Sequence, residues 1–287
     1  MRLVLTKPRL FSGSTNIYPS TGYFFSSTTS SKRLSFKDIE NNKHGLSFEL
    51  DVTMREGHHD MKVFGLGFLW SVSTKQHQAH ILASLLAPYA VMEASLYKAM
   101  ENGSNPKLKR FWKKIGKDVE KAWALKHDVA SLGGNDLPLT AAARYVSAIQ
   151  KAASNRYQND PSSEGDLLLA HMYVRYLADL FGGSMLGKPT ELALGLPINS
   201  LKFYSPNQGP NEEIIKHNKI QFVEMFYNEL NKCGEEMTAD RREEIVEEAK
   251  NAFKLNADIY TEREALLTGA LKGGFSLIHG YVKNYST

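Results

Sequence analysis

Apolar residues recur along most of this chain at intervals of three and four, the spacing of one face of an α-helix. Within residues 75–101 such a stripe predicts a helix that tolerates Pro88. The residues of this stripe are Leu82, Leu85, Leu86, Tyr89, Glu93 and Leu96. A second stripe over residues 108–123 predicts another helix, and Asn102-Gly103 predicts the turn between them.

Helical spacing continues towards the end of the chain. Thr140 predicts the N-cap of one helix, and a further helix is expected from about residue 164. Residues 189–210 are predicted to be a long loop, after which two helices follow, the last starting near Thr238. Because strand patterns are nearly absent, the sequence predicts an all-α fold.

Residues 46–54 conflict with this prediction, because apolar and polar residues alternate strictly there. Taken alone, this alternation favours a β-strand. The helical alternative places Leu50, Met54 and His58 in one row with a spacing of four. We predict a helix, because the sequence offers no evident partner strand.

Residues 171–189 form an amphipathic pattern that Gly182-Gly183 is expected to interrupt, since each glycine inside a helix costs about 1 kcal/mol relative to alanine. Paired glycines permit a bend and allow a flat ligand to approach the backbone. Met172, Arg175, Asp179 and Gly182 share one helical face. This face is either one wall of a ligand site or a close helix crossing with a surface Arg–Asp pair.

Charge and composition separate the first 33 residues from the rest. They contain five basic residues and no acid and are rich in serine and threonine, which is typical of an organellar targeting peptide. A mitochondrial peptide is preferred; a plastid peptide or a disordered tail stays open. Residues 34–287 then carry a net charge of −1 and are expected to form one domain, with no electrostatic case for binding nucleic acid.

Cysteine content and hydropathy limit the class of protein further. The single cysteine, Cys233, allows no intrachain disulfide and no thiolate cluster for zinc or iron–sulfur. No stretch of eighteen uncharged apolar residues occurs, so the sequence predicts no transmembrane segment.

Nine histidines raise the question of a metal site. A di-iron bundle needs Glu-x-x-His on two helices, and the sequence contains one such match, Glu56 to His59, so a di-iron site is not predicted. Heme needs a single axial imidazole, for which His58 is the candidate. The alternative is two exposed histidines at a helix end.

Three segments resemble the heme oxygenase family. HMYVRYLADLFGGS (171–184) resembles the family's distal-helix signature HAYTRYLGDLSGGQ, and LDVTMREGHH (50–59) resembles its proximal helix LKEATKEVH. EMTADRREEIVEEAKNAFKLNADIY (236–260) is similar to its final helix. With residues 74–93, which also follow the family pattern, the resemblance covers most of residues 45–268.

The resemblance implies a heme oxygenase-like multi-helix bundle. Such enzymes use heme b as cofactor and substrate, and open it with O2 and electrons from a reductase or ferredoxin to biliverdin, CO and Fe2+. His58 would be the proximal iron ligand, and Glu93 would orient its imidazole or be a helix-edge charge. On the distal side, the resemblance implies that Asp179 anchors a network of water molecules and that Tyr173, Arg175 and Asn256 support this network by hydrogen bonding. Gly182 and Gly183 would let the helix lie against the macrocycle, and Phe253 would pack beside the macrocycle.

Several positions depart from the family pattern. Ala178 replaces a glycine, Phe181 replaces a serine and Ser184 replaces a glutamine. Where the family has basic residues for the heme propionates, this chain has Asp51, Val223 and Tyr227; Arg55, Lys216 or Lys219 are nearby substitutes. These departures favour an alternative function: a catalytically inactive relative that carries or senses heme, or serves as a structural or assembly factor in an organelle.

Overall fold

The computed structural model describes residues 44–56, 61–134, 139–205, 219–263 and 265–285. These residues contain no β-strand, so the prediction of an all-α fold is confirmed. They belong to one compact unit within residues 34–287. The predicted targeting segment, residues 1–33, lies outside the described residues.

The helices are α1 (Gly45–Glu56), α2 (Met61–Ser71), α3 (Lys75–Asn102), α4 (Pro106–Val119), α5 (Ala122–Ser131), α6 (Thr140–Ser154), α7 (Leu168–Met172), α8 (Ser184–Leu194), α9 (Lys219–Glu235), α10 (Ala239–Thr261) and α11 (Leu266–Tyr285).

Helix α1 resolves the conflict over residues 46–54 in favour of the helix. Leu46 and Leu50, four residues apart, are fully buried against the core, whereas Phe48 and Val52 stay exposed. The alternation of apolar and polar residues over 46–54 therefore arises because Phe48 and Val52 are apolar residues on the solvent-exposed side of a helix. Packing of one helical face outweighed the strand pattern, as tertiary contacts commonly do.

Local capping chemistry defines the central helix α3. The Thr74 side chain accepts a hydrogen bond from the His77 amide at 3.0 Å where the helix begins. Gly103 ends it with φ +64°, a conformation that favours glycine. Asn105 then caps α4 by accepting from the Leu108 amide, which confirms the predicted turn. α3 is, among the described residues, a helix long and apolar enough to cross a membrane, but 61% of that apolar window is buried, as in a core helix.

The segment around the glycine pair differs from the prediction. Between α7 and α8 the helix continues through two π-helical stretches, Tyr173–Leu177 and Asp179–Gly183. The glycine pair therefore does not interrupt the helix, and wider turns begin before it. The loop predicted over residues 189–210 is also wrong at its start, because α8 contains Pro189 and ends at Leu194. Pro189 is buried, and the packing of α8 on α11 compensates for its missing backbone donor.

Two further helix boundaries were set by tertiary contacts. Thr140 is the first residue of α6 but makes no capping bond. Instead, the Glu262 carboxylate, from the end of α10, accepts a hydrogen bond from the Ala141 amide at 2.6 Å. The single helix predicted over residues 108–123 divides into α4 and α5. By contrast, Thr238 caps α10 as predicted.

Helix α11 was not predicted, since the sequence pattern placed the last helix at α10. A Cβ on Gly273 would lie 1.7 Å from the Leu69 carbonyl oxygen, and one on Gly280 would lie 2.3 Å from that of Leu192. Glycine thus lets the α11 backbone pack directly on α2 and α8. The outward face of α11 is apolar and exposed at Leu267, Leu271, Phe275, Ile278 and Val282.

Candidate functional site

Four polar side chains from three helical segments meet inside the bundle; we call Tyr89, Arg175, Asp179 and Asn256 the Arg175 cluster. One Arg175 nitrogen, Nη1, donates to Asn256, and Nη2 donates to the Tyr89 hydroxyl at 3.0 Å. Tyr89 in turn donates to the Asp179 carboxylate. Arg175 Nη2 and Asp179 Oδ1 are 3.9 Å apart. The cluster therefore links a cation to a carboxylate both directly and through a phenol.

The helical periods explain why these residues meet. Tyr89 lies on the buried stripe of α3, and Asn256 lies on the buried face of α10. Arg175 and Asp179 lie one turn apart on the two π-helical stretches, and their side chains reach Tyr89 of α3 and Asn256 of α10. Since the Arg175 side chain is only 3% exposed, the alternative of a surface Arg–Asp pair is wrong.

Burial controls the protonation of the cluster. It raises the pKa of the Asp179 carboxyl, although Arg175 and the Tyr89 hydrogen bond oppose this shift. Burial likewise holds the pKa of Tyr89 well above its usual range, so this phenol stays a hydrogen-bond donor at neutral pH. An aspartate with a raised pKa, fixed by a phenol and a guanidinium, is suited to holding and passing a proton.

A small cavity of about 20 Å³ is lined in part by Asp179 and has room for one water molecule. Its walls include Lys121, Tyr176 and Phe203. Burial lowers the pKa of Lys121, whose ammonium group donates to the Ser205 carbonyl at 3.1 Å. The cavity thus places a water-sized space, with both polar and apolar walls, next to Asp179.

The glycines lie next to this cluster and leave backbone uncovered. A Cβ on Gly182 would meet nothing within 4 Å, and Gly182 is exposed. A Cβ on Gly183 would lie 3.4 Å from Asp179 Oδ1. Ala178, one turn before Gly182, is also exposed. The helix therefore offers a flat surface beside Asp179, with the Ala178 methyl group as its one departure from the family's glycine.

Glu93 has a structural role that the sequence did not reveal. One carboxylate oxygen, Oε1, accepts from the Lys121 amide at 2.7 Å, the Ala122 amide at 3.1 Å and the Tyr176 hydroxyl at 3.3 Å. Glu93 thereby caps α5, whose own N-cap residue makes no side-chain bond. Burial raises its pKa to about 7. Its predicted role of orienting an imidazole stays a prediction, because His58 lies outside the described residues.

Tyr173 and the positions expected to be basic form a second polar group. The hydroxyls of Tyr173 and Tyr227 both donate to Asp51 Oδ1, the latter at 2.9 Å. The structure therefore places the Tyr173 hydroxyl on Asp51, away from the Arg175 cluster that it was expected to support. Val223 is fully buried nearby on α9.

Phe253 lies on the face of α10 that packs against α2. Its ring meets Phe64 edge-on at 5.5 Å between centroids, and Phe64 meets Tyr260 at 5.2 Å. Phe253, Asn256 and Tyr260 are spaced at intervals of three and four, so the aromatic pair and the Arg175 cluster belong to one face of α10. The side chains of Phe181 and Ser184 lie outside the described part of the chain.

The fold and the site together define a helical protein in which a carboxylate, a phenol and a guanidinium are hydrogen-bonded inside the bundle, next to the helix surface that Gly182 leaves open. The heme oxygenase family model matches residues 54–262. Heme oxygenase 1 of Bos taurus is 30% identical over 228 residues, which cover 77% of this chain and 70% of that protein. Heme oxygenase 1 of Homo sapiens is 30% identical over 196 residues, covering 66% of this chain and 60% of that protein.

Solved structures of heme oxygenases share the fold of this chain. The heme oxygenase of Leptospira interrogans superposes with a TM-score of 0.60 at 25% identity, covering 77% of this chain and all of that one. The heme-bound heme oxygenase-1 of Synechocystis sp. PCC6803 gives 0.63 at 22% identity, covering 85% and 100%. This chain belongs to the heme oxygenase family. The resemblance is confirmed, and membership supports an enzyme rather than an inactive carrier or assembly factor.

Proposed function

We propose that this chain binds heme b and opens it to biliverdin, CO and Fe2+, using O2 and electrons from a reductase or ferredoxin. The observation that carries the proposal is the Arg175 cluster, whose four side chains are all linked by hydrogen bonds next to the exposed backbone of Gly182. A carrier or scaffold would need neither a carboxylate with a raised pKa nor a phenol to orient it.

The open backbone on the distal side of the site would fit a flat macrocycle. Gly182 leaves open space where any other residue would place a side chain. Arg175 Nε is buried and has no hydrogen-bond acceptor among the described residues, so it can still donate to an ordered water. His58, the proximal ligand implied by the resemblance, would complete the other side.

Each residue of the cluster then has a physical task. When bound, heme supplies the iron at which O2 is activated and the ring that is opened. Asp179 holds a proton and, through a water molecule, passes it to the distal face. Tyr89 fixes one Asp179 oxygen by donating to it, and Arg175 keeps the carboxylate oriented while staying charged. Phe253 and the neighbouring aromatic rings exclude bulk water.

Titration with hemin, followed by a reductase under air, tests the proposal. We expect stoichiometric binding with a histidine-ligated spectrum and conversion to biliverdin. Asp179→Asn keeps the shape of the side chain but cannot exchange the proton, so it should bind hemin normally and lose most of its biliverdin formation. Asp240→Asn, at an exposed position of α10, is the matched control. Hemin binding without conversion in the unmodified chain would identify a carrier or sensor instead.

We further propose that residues 1–33 direct the chain to the mitochondrion. The support is their composition, five basic residues and no acid in a segment rich in serine and threonine. Residues 1–33 fused to a fluorescent protein should be imported into mitochondria, and replacing the five basic residues with glutamine should abolish import. Plastid import or diffuse fluorescence of the unmodified fusion would contradict the proposal.

A further inference from the structure

Helix α4 carries a row of lysine residues on its outward face. Lys109, Lys113 and Lys117 follow one another at intervals of four, so they lie on one side of the helix, and Lys114 lies beside them. All four residues are exposed, whereas the large apolar side chains of α4 are buried against the core. We call these four residues the α4 lysine row.

None of the four lysines forms an ion pair within the described part of the chain. Lys114 shares an open groove with Glu229 of α9, but Glu229 pairs with Arg110 and Lys232 instead. Glu236 also pairs with Arg110. Like charges four residues apart destabilise a helix by about 0.2 to 0.5 kcal/mol per pair, so the row is unfavourable by itself and is stabilised by an anionic surface placed against it.

The positive charge of the row is local, because residues 34–287 as a whole carry a net charge of −1. The outward face of α10, by contrast, is acidic and exposed at Glu243, Glu244 and Glu247. A protein with separate positive and negative faces orients a charged partner as it approaches and raises the rate of association. The α4 lysine row therefore favours a partner with an acidic surface.

Two other anionic partners fit the row less well. Helices that bind a membrane surface also insert apolar side chains, and the described residues of α4 include no exposed large apolar residue. Nucleic acid offers phosphates along a much longer surface than this row, which extends over about 12 Å from Lys109 to Lys117. A short charged face suits the small, transient interfaces that redox proteins form.

The row lies on the helix that reaches the candidate functional site. Asp118 and Val119, in the last turn of α4, line the cavity that Asp179 also lines. On the buried side of α4 the Trp112 ring lies 6.1 Å from the ring of Tyr176, which lines the same cavity. A protein bound to the row would therefore be separated from this side of the site by little more than α4 itself, a helix about 10 Å across.

We propose that the α4 lysine row is the docking surface for the protein that supplies electrons, and that this protein is a ferredoxin with an acidic face. The inference rests on the proposed function, because an enzyme that opens heme requires an electron donor and a carrier does not. Each encounter transfers one electron: the reduced iron–sulfur cluster of the ferredoxin is oxidised, and the ferric iron of bound heme is reduced to ferrous iron, with no proton exchanged.

The test compares a protein donor with a small one. Biliverdin formation by the full chain is driven either by a [2Fe–2S] ferredoxin, kept reduced by NADPH and a ferredoxin reductase, or by ascorbate, which needs no docking surface. When Lys113→Glu and Lys117→Glu are combined, the ferredoxin-driven rate at low salt should fall about 10- to 100-fold, because the field that steers association is reversed. The ascorbate-driven rate should stay the same.

Two controls isolate the charge of the row. Lys151→Glu combined with Lys254→Glu makes the same change in net charge at exposed lysines of α6 and α10, and this variant should behave as the unmodified chain does. Raising the ionic strength from about 0.01 M to about 1 M shortens the screening length from about 30 Å to about 3 Å. The difference between the α4 variant and the unmodified chain should therefore disappear at high salt.

Three results would overturn the inference: an unchanged ferredoxin-driven rate in the α4 variant, an equal loss with ferredoxin and ascorbate, which indicates a structural role, or turnover of the unmodified chain with ascorbate but not with ferredoxin. Thermal unfolding of each variant checks the fold. If the α4 variant does not fold, Lys113→Gln combined with Lys117→Gln takes its place in the same comparison. Failure of the unmodified chain to form biliverdin with ascorbate would instead refute the proposed function.

Discussion

Glu93 makes the stability of this protein depend on pH in a direction opposite to that of most acidic residues. Its pKa rises from 4.5 to about 7 on folding, chiefly because the carboxyl is buried. The folded state thus binds a proton more tightly than the unfolded state does. The free energy of unfolding therefore falls as the pH rises through the interval from 4.5 to 7.

The magnitude follows from the linkage between protonation and folding. A shift of one pKa unit corresponds to about 1.4 kcal/mol, so the penalty for ionising Glu93 grows by about 2.5 kcal/mol between pH 5 and pH 8. Glu93→Gln keeps an oxygen that can accept from the Lys121 and Ala122 amides but cannot ionise. Its stability relative to the unmodified protein should therefore rise by about 2 to 3 kcal/mol over that range.

Urea unfolding at pH 5, 6, 7 and 8 measures this difference, because the other titrating groups are common to both proteins and cancel. Glu243→Gln, which makes the same change at an exposed position of α10, is the matched control. If the curves for Glu93→Gln and the unmodified protein run parallel from pH 5 to pH 8, then the Glu93 carboxyl is not buried as the structure has it, and the reasoning fails.

Three further predictions concern the packing and the chemistry of the site. Gly273→Ala should destabilise α11 and speed its proteolysis, since the new Cβ would collide with the Leu69 carbonyl. Gly274→Ala is the matched control, because its Cβ would meet nothing within 4 Å and should stabilise the helix by about 1 kcal/mol. Equal proteolysis rates for the two variants would contradict the packing of α11 on α2. Ala178→Gly restores the family's residue and should increase the yield of biliverdin relative to peroxidase-like products, measured by chromatography; an unchanged ratio would show that the methyl group does not matter. His58→Ala should lose the axial-ligand absorbance while its circular dichroism stays the same, and an unchanged hemin spectrum would refute the ligand assignment.

Part of the site was predictable from the sequence because it depends on neighbours in one helix. Arg175 and Asp179 are four residues apart, so any helix-like backbone places them together, and both were predicted. Asn256 came from the resemblance of the final helix. Tyr89 was recognised as part of an apolar stripe, but not as the link to Asp179, which is 90 positions away. Nothing in the local pattern indicates that a tyrosine in a buried stripe directs its hydroxyl to a distant carboxylate.

Tertiary packing also decided the roles of several predicted residues. Tyr173 was expected near Asp179, yet its hydroxyl donates to Asp51, 122 positions away, because α1 and α9 pack on that side of the π-helical segment. Glu93 was expected only to orient an imidazole, which stays a prediction, and the packing of α5 on α3 gave it the further role of capping α5.

The sequence by itself determined the helical class, the limits of α3 at Thr74 and Gly103, and the start of α10 at Thr238, because capping and helix spacing act between residues three or four positions apart. Only the tertiary structure decided that α1 is a helix, that Pro189 lies inside α8 and that α11 packs on α2 and α8. Those outcomes depend on burial against distant segments, whose stabilisation exceeds the local preferences of about 1 kcal/mol that a sequence pattern records.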